Sequence, residues 1–181
     1  MSSPRSPIAF IAAAVGLALV AVAGASFAAS DGQLDGTSTG TVDIDLEIPE
    51  LVQISNLDDI DLGAFDGGAV SGTDDVCVWS TTRSYSLTAT GGDGGFVLTG
   101  AATATSLPYA VQWASAGGAT SGATLTAGAS LPGLDTSATS PTCQGGAALN
   151  ASVIVSVSDG DMAAAVADTY TGTLTLLVEP N

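Results

Sequence analysis

The chain has 181 residues, 46% of them hydrophobic and 11% charged, and 18 acidic side chains against two basic ones give a formal net charge of −16. Such a surface repels phosphate, which excludes nucleic acid and anionic membranes as partners. Histidine and lysine are absent, so the usual titrating groups of catalysis are missing and a non-catalytic protein is expected.

In chain order, Arg5 precedes an uncharged run from Ile8 to about Val22, and Ser26 and Ala28 stand at a spacing that suits a signal peptidase. Residues 1–28 therefore read as a signal peptide and the protein as secreted. A membrane anchor is the competing reading, but much of the run is Ala and Gly and nothing basic follows it. All the acids lie beyond residue 28, where Arg83 is the sole basic side chain. The remaining length suits one domain with a real core. Solubility, in a salty habitat above all, accounts for such charge without an acidic binding site.

Residues 29–40 are mostly Gly, Ser, Thr and Asp with a single Leu34, the composition of a flexible tether. Next, Thr41-Val42-Asp43-Ile44-Asp45-Leu46-Glu47-Ile48 puts Val42, Ile44, Leu46 and Ile48 on one face and the acids on the other, the period of a strand with one buried side. Folding back onto the next apolar run would require Pro49-Glu50 to make a tight hairpin, for which proline cannot supply positive φ. Pro49 instead favours an extended direction, away from the body. A lone amphipathic strand is not stable in water, so residues 41–49 are expected to act as a donor strand, added to an open sheet edge of another copy. The plainer alternative is a first strand of the same subunit, reached by a wider crossover.

Further strands are predicted at residues 51–55, 59–65, 76–80, 85–90, 96–100, 109–114, 123–127, 149–158 and 170–178, bounded by Gly, Asp, Ser and Pro as in an antiparallel sandwich. The last two should be central, with Leu149, Ala151, Val153, Val155 and Val157 sharing one face and Tyr170, Leu174, Leu176 and Val178 another, and the closing strand 170–178 is also expected to help form the edge that receives a donor. Residues 161–167 fit a turn or two of helix capped by Asp161, or a loop. The Gly-rich link 91–95 reads as a turn and the Ala/Gly/Ser/Thr-rich stretch 114–140 as exposed and variable. Cys77 and Cys143 are the only cysteines, and in an exported chain an even count favours an oxidised pair.

No cofactor or metal is expected. Asp58, Asp59 and Asp61, Asp74 and Asp75, and Asp159 and Asp161 cluster at predicted turns, where Asp serves the backbone; Asp159-Gly160-Asp161 offers calcium chemistry without an EF-hand pattern. Trp79, Trp113, Tyr85 and Tyr109 suit core packing, or alternatively the sugar platform of a monomeric secreted carbohydrate- or ligand-binding β-sandwich module. Asn150-Ala151-Ser152 fits a glycosylation acceptor, which a buried position would disqualify.

Several motifs, in order, resemble those of the spore coat U-like pilin subunits of archaic chaperone–usher systems. Ile60-Asp61-Leu62-Gly63-Ala64-Phe65-Asp66 resembles the family's short strand after the donor segment. Val76-Cys77-Val78 with Tyr85-Ser86-Leu87 is similar to its Cys-containing strand pair, Leu107-Pro108-Tyr109 to its mid-chain Tyr motif, and Ala167-Asp168-Thr169-Tyr170-Thr171-Gly172-Thr173-Leu174 to its closing strand. The resemblance implies an all-β, incomplete immunoglobulin-like β-sandwich spanning residues 50–181, completed by the donated N-terminal strand of a neighbour. It also implies a surface filament polymerised from copies of this chain, with a periplasmic chaperone and an outer-membrane usher as partners.

Overall fold

The computed structural model describes residues 29–92, 95–144 and 148–181. The expected signal peptide (1–28) and part of the Gly-rich link 91–95 lie outside the described residues. The chain divides into two units, Met1–Leu46 and Glu47–Asn181.

In the first unit, Ser30 and Thr41 form an isolated antiparallel bridge with two backbone hydrogen bonds of 3.0 Å, and their hydroxyls lie 2.6 Å apart. The expected tether is thus closed into a loop at its ends. Residues 42–46 follow with no regular hydrogen-bonded structure.

The second unit is the expected all-β, immunoglobulin-like sandwich of antiparallel sheets. Its elements in chain order are β1 (Val52–Ser55), β2 (Val70–Ser80), β3 (Ser84–Gly91), β4 (Val97–Gly100), β5 (Ser106–Pro108), β6 (Ala110–Ala114), β7 (Ala123–Thr124), β8 (Ser130–Asp135), β9 (Ala151–Val157), α1 (Asp159–Ala164), β10 (Tyr170–Thr171) and β11 (Leu174–Pro180). One sheet has the order β1-β2-β9-β6-β7, a second β11-β3-β8, and a small third β10-β4-β5. Val76, Val78, Val111, Trp113, Val153 and Val155 from the first sheet meet Tyr85, Leu87 and Ala89 from the second in one core. Tyr85 and Trp113 fix its centre: the rings stand edge to face with centroids 6.4 Å apart, and Trp113 Nε1 donates to Tyr85 Oη at 3.1 Å.

Several elements differ from the sequence pattern for identifiable reasons. Residues 59–65, predicted as a strand, form none. Gly63 has φ +73° and its N–H bonds the Asp61 carboxylate, a local turn that breaks the extended run. β2 instead starts at Val70 and carries Asp74 and Asp75 in mid-strand rather than at the predicted turn. The predicted strand 170–178 splits into β10 and β11, which belong to different sheets. Gly172 makes that crossing, where a Cβ would lie 2.9 Å from Leu98 Cδ2 and 3.1 Å from the Val97 carbonyl. The Ala/Gly/Ser/Thr-rich stretch 114–140 is not merely exposed loop, because β8 within it pairs with β3 and Thr136 and Ala138 beyond it are buried. α1 is capped by Ser158, whose Oγ accepts the Asp161 N–H, so the cap lies upstream of Asp161.

Cys77 and Cys143 are bonded, with Cα atoms 5.8 Å apart, and form a small second core with Ala138, flanked by Trp79 and Leu149. Asn150 completes the ladder beside them. Its Oδ1 accepts the Val78 N–H at 2.8 Å while Nδ2 donates to the Val78 carbonyl at 2.9 Å and to Thr136 Oγ1 at 2.8 Å. With its amide engaged on both sides, Asn150 is unsuited to accept a glycan.

Candidate functional site

The four aliphatic side chains singled out before Pro49 are all turned to solvent: Val42 is 76% exposed, Ile44 92%, Leu46 80% and Ile48 72%. A Leu or Ile exposed to this extent is ordinary alone, but four at alternating positions of the sequence are an apolar load that water does not favour. Among the described residues, no strand pairing includes residues 42–51.

Within the second unit lies a cleft of about 260 Å³, lined mostly by aliphatic side chains with Asp58, Asp59 and Asp74 among them. Its walls come from the segment 57–62, from β9 and from β11, with Asp74 of β2 among them, and β11 and the first half of β2 each have an edge that pairs with no described strand. β11 pairs with β3 on one edge only. β2 is paired to β1 from Cys77 to Ser80, but from Val70 to Val76 its sole described partner is β9. The β1–β2 ladder therefore stops at Ser55. Val153 and Val155 of β9, Tyr109 and Leu98 line the cleft together with Leu174 and Leu176 of β11.

The interior registers the opening. Leu174, Leu176 and Val178 point inward opposite Gly91, Ala89 and Leu87, yet all three are only half-buried. The predicted closing strand thus supplies an edge rather than a central strand, and the other predicted central strand, β9, is buried along nearly all its length.

Asp74 is the polar anomaly of the cleft. Alternation puts it on the inward face of β2 with Val70, Gly72, Val76 and Val78, where it is 8% exposed. Its Oδ2 accepts the Asp58 N–H at 3.0 Å, and desolvation holds its carboxyl above the ordinary value. Asp75 faces the other way and takes bonds from Ser152 Oγ and the Gly118 N–H, which hold its carboxyl below the ordinary value. Sequence reasoning missed Asp74, because an acid pair beside Gly72 and Thr73 has the composition of a turn.

The other candidates have structural positions. Tyr85, Tyr109 and Trp113 are buried and Trp79 flanks the disulfide, so the four aromatics do not form a surface platform. Asp161 accepts from Ser158 at the start of α1. Among the described residues, no three His, Cys, Asp or Glu side chains come together as a metal site would require, and no helix is long and apolar enough to cross a membrane.

No protein-family model matches the chain, and no curated protein matches it. Among solved structures it is similar to a chain described as part of a chaperone-tip adhesin complex in CFA/I fimbriae biogenesis. That match has 18% identity and a TM-score of 0.48, and it covers 73% of this chain and 41% of the other. The chain thus spans about two fifths of the length of that matched chain. The fold assignment rests on the strand pairings of this chain itself.

Proposed function

We propose that the protein is a structural subunit of an extracellular fibre, polymerising by donor-strand exchange. Residues 41–49 of one copy enter the apolar cleft of the next, with Val42, Ile44, Leu46 and Ile48 as knobs and Asp43, Asp45 and Glu47 toward water. The observation that carries this reading is the match between a solvent-exposed aliphatic stripe and a cleft bordered by the free edges of β11 and the first half of β2. Each lacks what the other has. The stripe needs an apolar cover, and the β11 edge needs backbone partners. At about 25 cal/mol per Å², four buried aliphatic side chains contribute on the order of 6 to 10 kcal/mol before ordering costs, enough for a durable joint.

The family resemblance of the motifs between Ile60 and Leu174 supports the same assignment and adds a route: export through the periplasm, a chaperone that holds the subunit before assembly, and an outer-membrane usher. The role is structural and non-catalytic, at the cell surface. A monomeric sugar-binding module is less well supported, since the aromatic rings it would use are packed in the core.

Replacing Ile44 and Leu46 with Asp tests the proposal. Charges at two knobs should abolish fibres while the monomer keeps its unfolding temperature, read by electron microscopy, by native gels without boiling, and by calorimetry. Wild-type material that runs only as a single monomer band, or doubly substituted chains that still form detergent-resistant ladders, would sink it.

A further inference from the structure

One wall of the cleft is made by a segment with no strand pairing of its own. Between β1 and β2, residues 57–62 run along the unpaired half of β2 without forming a strand, and Leu57, Ile60 and Leu62 line the cleft opposite Leu174 and Leu176. Ile60 and Leu62 pack against the main core. They do so where β2 has no side chain: a Cβ at Gly72 would lie 2.5 Å from Ile60 Cγ2 and 3.1 Å from Leu62 Cδ2. Gly72 thus leaves a gap on the inward face of β2, and these two side chains fill it.

The attachment is light. The hydrogen bond from the Asp58 N–H to Asp74 Oδ2 ties the segment to β2, and the Gly63 N–H is satisfied within the segment by Asp61. The backbone carries no ladder to either neighbouring edge. Apolar side chains seated in a cleft with no ladder to hold them have the character of a removable cover, unlike a sheet strand whose bonds must break together.

We propose that residues 57–62 are a strap that occupies the acceptor cleft in the free subunit, seated on Gly72 by Ile60 and Leu62 and latched by Asp74, and that it lifts when a donor strand arrives. The inference rests on the strand-exchange reading and deepens it. A subunit with its cleft covered is protected from promiscuous pairing along β11, and joining becomes an exchange of one apolar segment for another. The strap lowers the fraction of subunits competent to accept a donor, and apparent affinity falls by that fraction.

The test uses the full chain as a monomer and a labelled synthetic peptide of residues 41–50 as probe. In the unaltered chain, hydroxyl-radical footprinting of Ile60 and Leu62 should rise when the peptide binds, while Leu174 and Leu176 become protected. In the Ile60→Ser, Leu62→Ser double variant, peptide association should quicken about tenfold, as expected when a competing closed state is removed. If Ile60 and Leu62 are instead permanent walls of the acceptor, their labelling falls on binding and the double variant binds more slowly. Either result overturns the strap and leaves strand exchange intact. A peptide that binds neither chain overturns both.

Discussion

β9 lies between β2 and β6 with every residue but Ser156 buried, whereas β11, equally rich in aliphatic side chains, pairs with β3 alone and keeps Leu174, Leu176 and Val178 half-buried with Leu177 53% exposed. Both strands alternate, with Val153, Val155 and Val157 of β9 and Leu174, Leu176 and Val178 of β11 packed on the main core. The difference lies in their neighbours. A strand with partners on both edges is dried by the side chains of three strands, while one at an open edge shares its inner face with solvent. The sandwich thus has a fully paired, dry side at β9 and an open-edged, half-buried side at β11.

The fully paired side can be broken hardest. The disulfide ties Cys77 of β2 to a loop 66 residues away, and replacing both cysteines with Ser should lower unfolding free energy by roughly 4 kcal/mol on the loop-closure argument, measured by urea denaturation. A loss near zero would show that packing around Trp79 and Leu149 suffices without the bond.

A matched pair of truncations sharpens the contrast between the two sides. Leu87 is fully buried and lies opposite Val178. Its replacement by Ala should cost about 3 kcal/mol in the monomer. Leu176→Ala, at the open edge, should cost about 1 kcal/mol in the monomer, since less apolar surface is returned to water. In fibres the Leu176 penalty should grow toward that of Leu87, because an inserted strand would cover it. Equal costs in both states would mean that nothing covers β11 on assembly.

The smallest effect concerns Asp168, just before the chain crosses from β10 to β11. Its carboxylate accepts from Thr103 Oγ1 and from the N–H groups of Ala102, Thr103 and Thr169. The Thr103 hydroxyl is the leading cause of a carboxyl lowered from 3.8 to about 2, with the backbone donors adding to it. A depressed value in the folded state means that the stabilisation is present above the ordinary carboxylate range and is lost as pH falls through about 2. The acid limb of thermal stability should therefore flatten in Asp168→Ala, and an unchanged limb would assign the acid sensitivity to other groups. The carboxylate lies at the surface, where solvent screens it, so the shift in melting temperature should be small.

Much of this architecture is legible in residue patterns. Period-2 alternation marked β1, β3, β4, β6 and β9 to within a few residues, because a strand with one face in a core needs that period whatever its partners are. The same reasoning drew attention to Val42, Ile44, Leu46 and Ile48, whose exposure is now visible. It failed where local composition and tertiary demand disagree. β8 hides in Ser130-Leu131-Pro132-Gly133-Leu134, a sequence with the look of a loop, and is a strand because the β3 edge is there to receive it. Asp74 looks like part of a turn and lies inside the sandwich, since the Asp58 N–H supplies the bond that burial requires. Ile60 and Leu62 belong to a plausible strand that Gly63 and Asp61 bend out of the ladder.

What the sequence by itself determined is the class: an acidic chain without histidine or lysine, built from alternating strands, with two cysteines to join and an amphipathic segment set apart by Pro49. Only the tertiary structure decided that β8 would pair with the edge of β3, that Gly172 would send one predicted strand into two sheets, and that the gap over Gly72 would be filled from the chain's own residues 57–62. The physical reason is that periodicity is a property of neighbours along the chain, while an edge, a crossing and a gap exist only once distant segments have chosen their places.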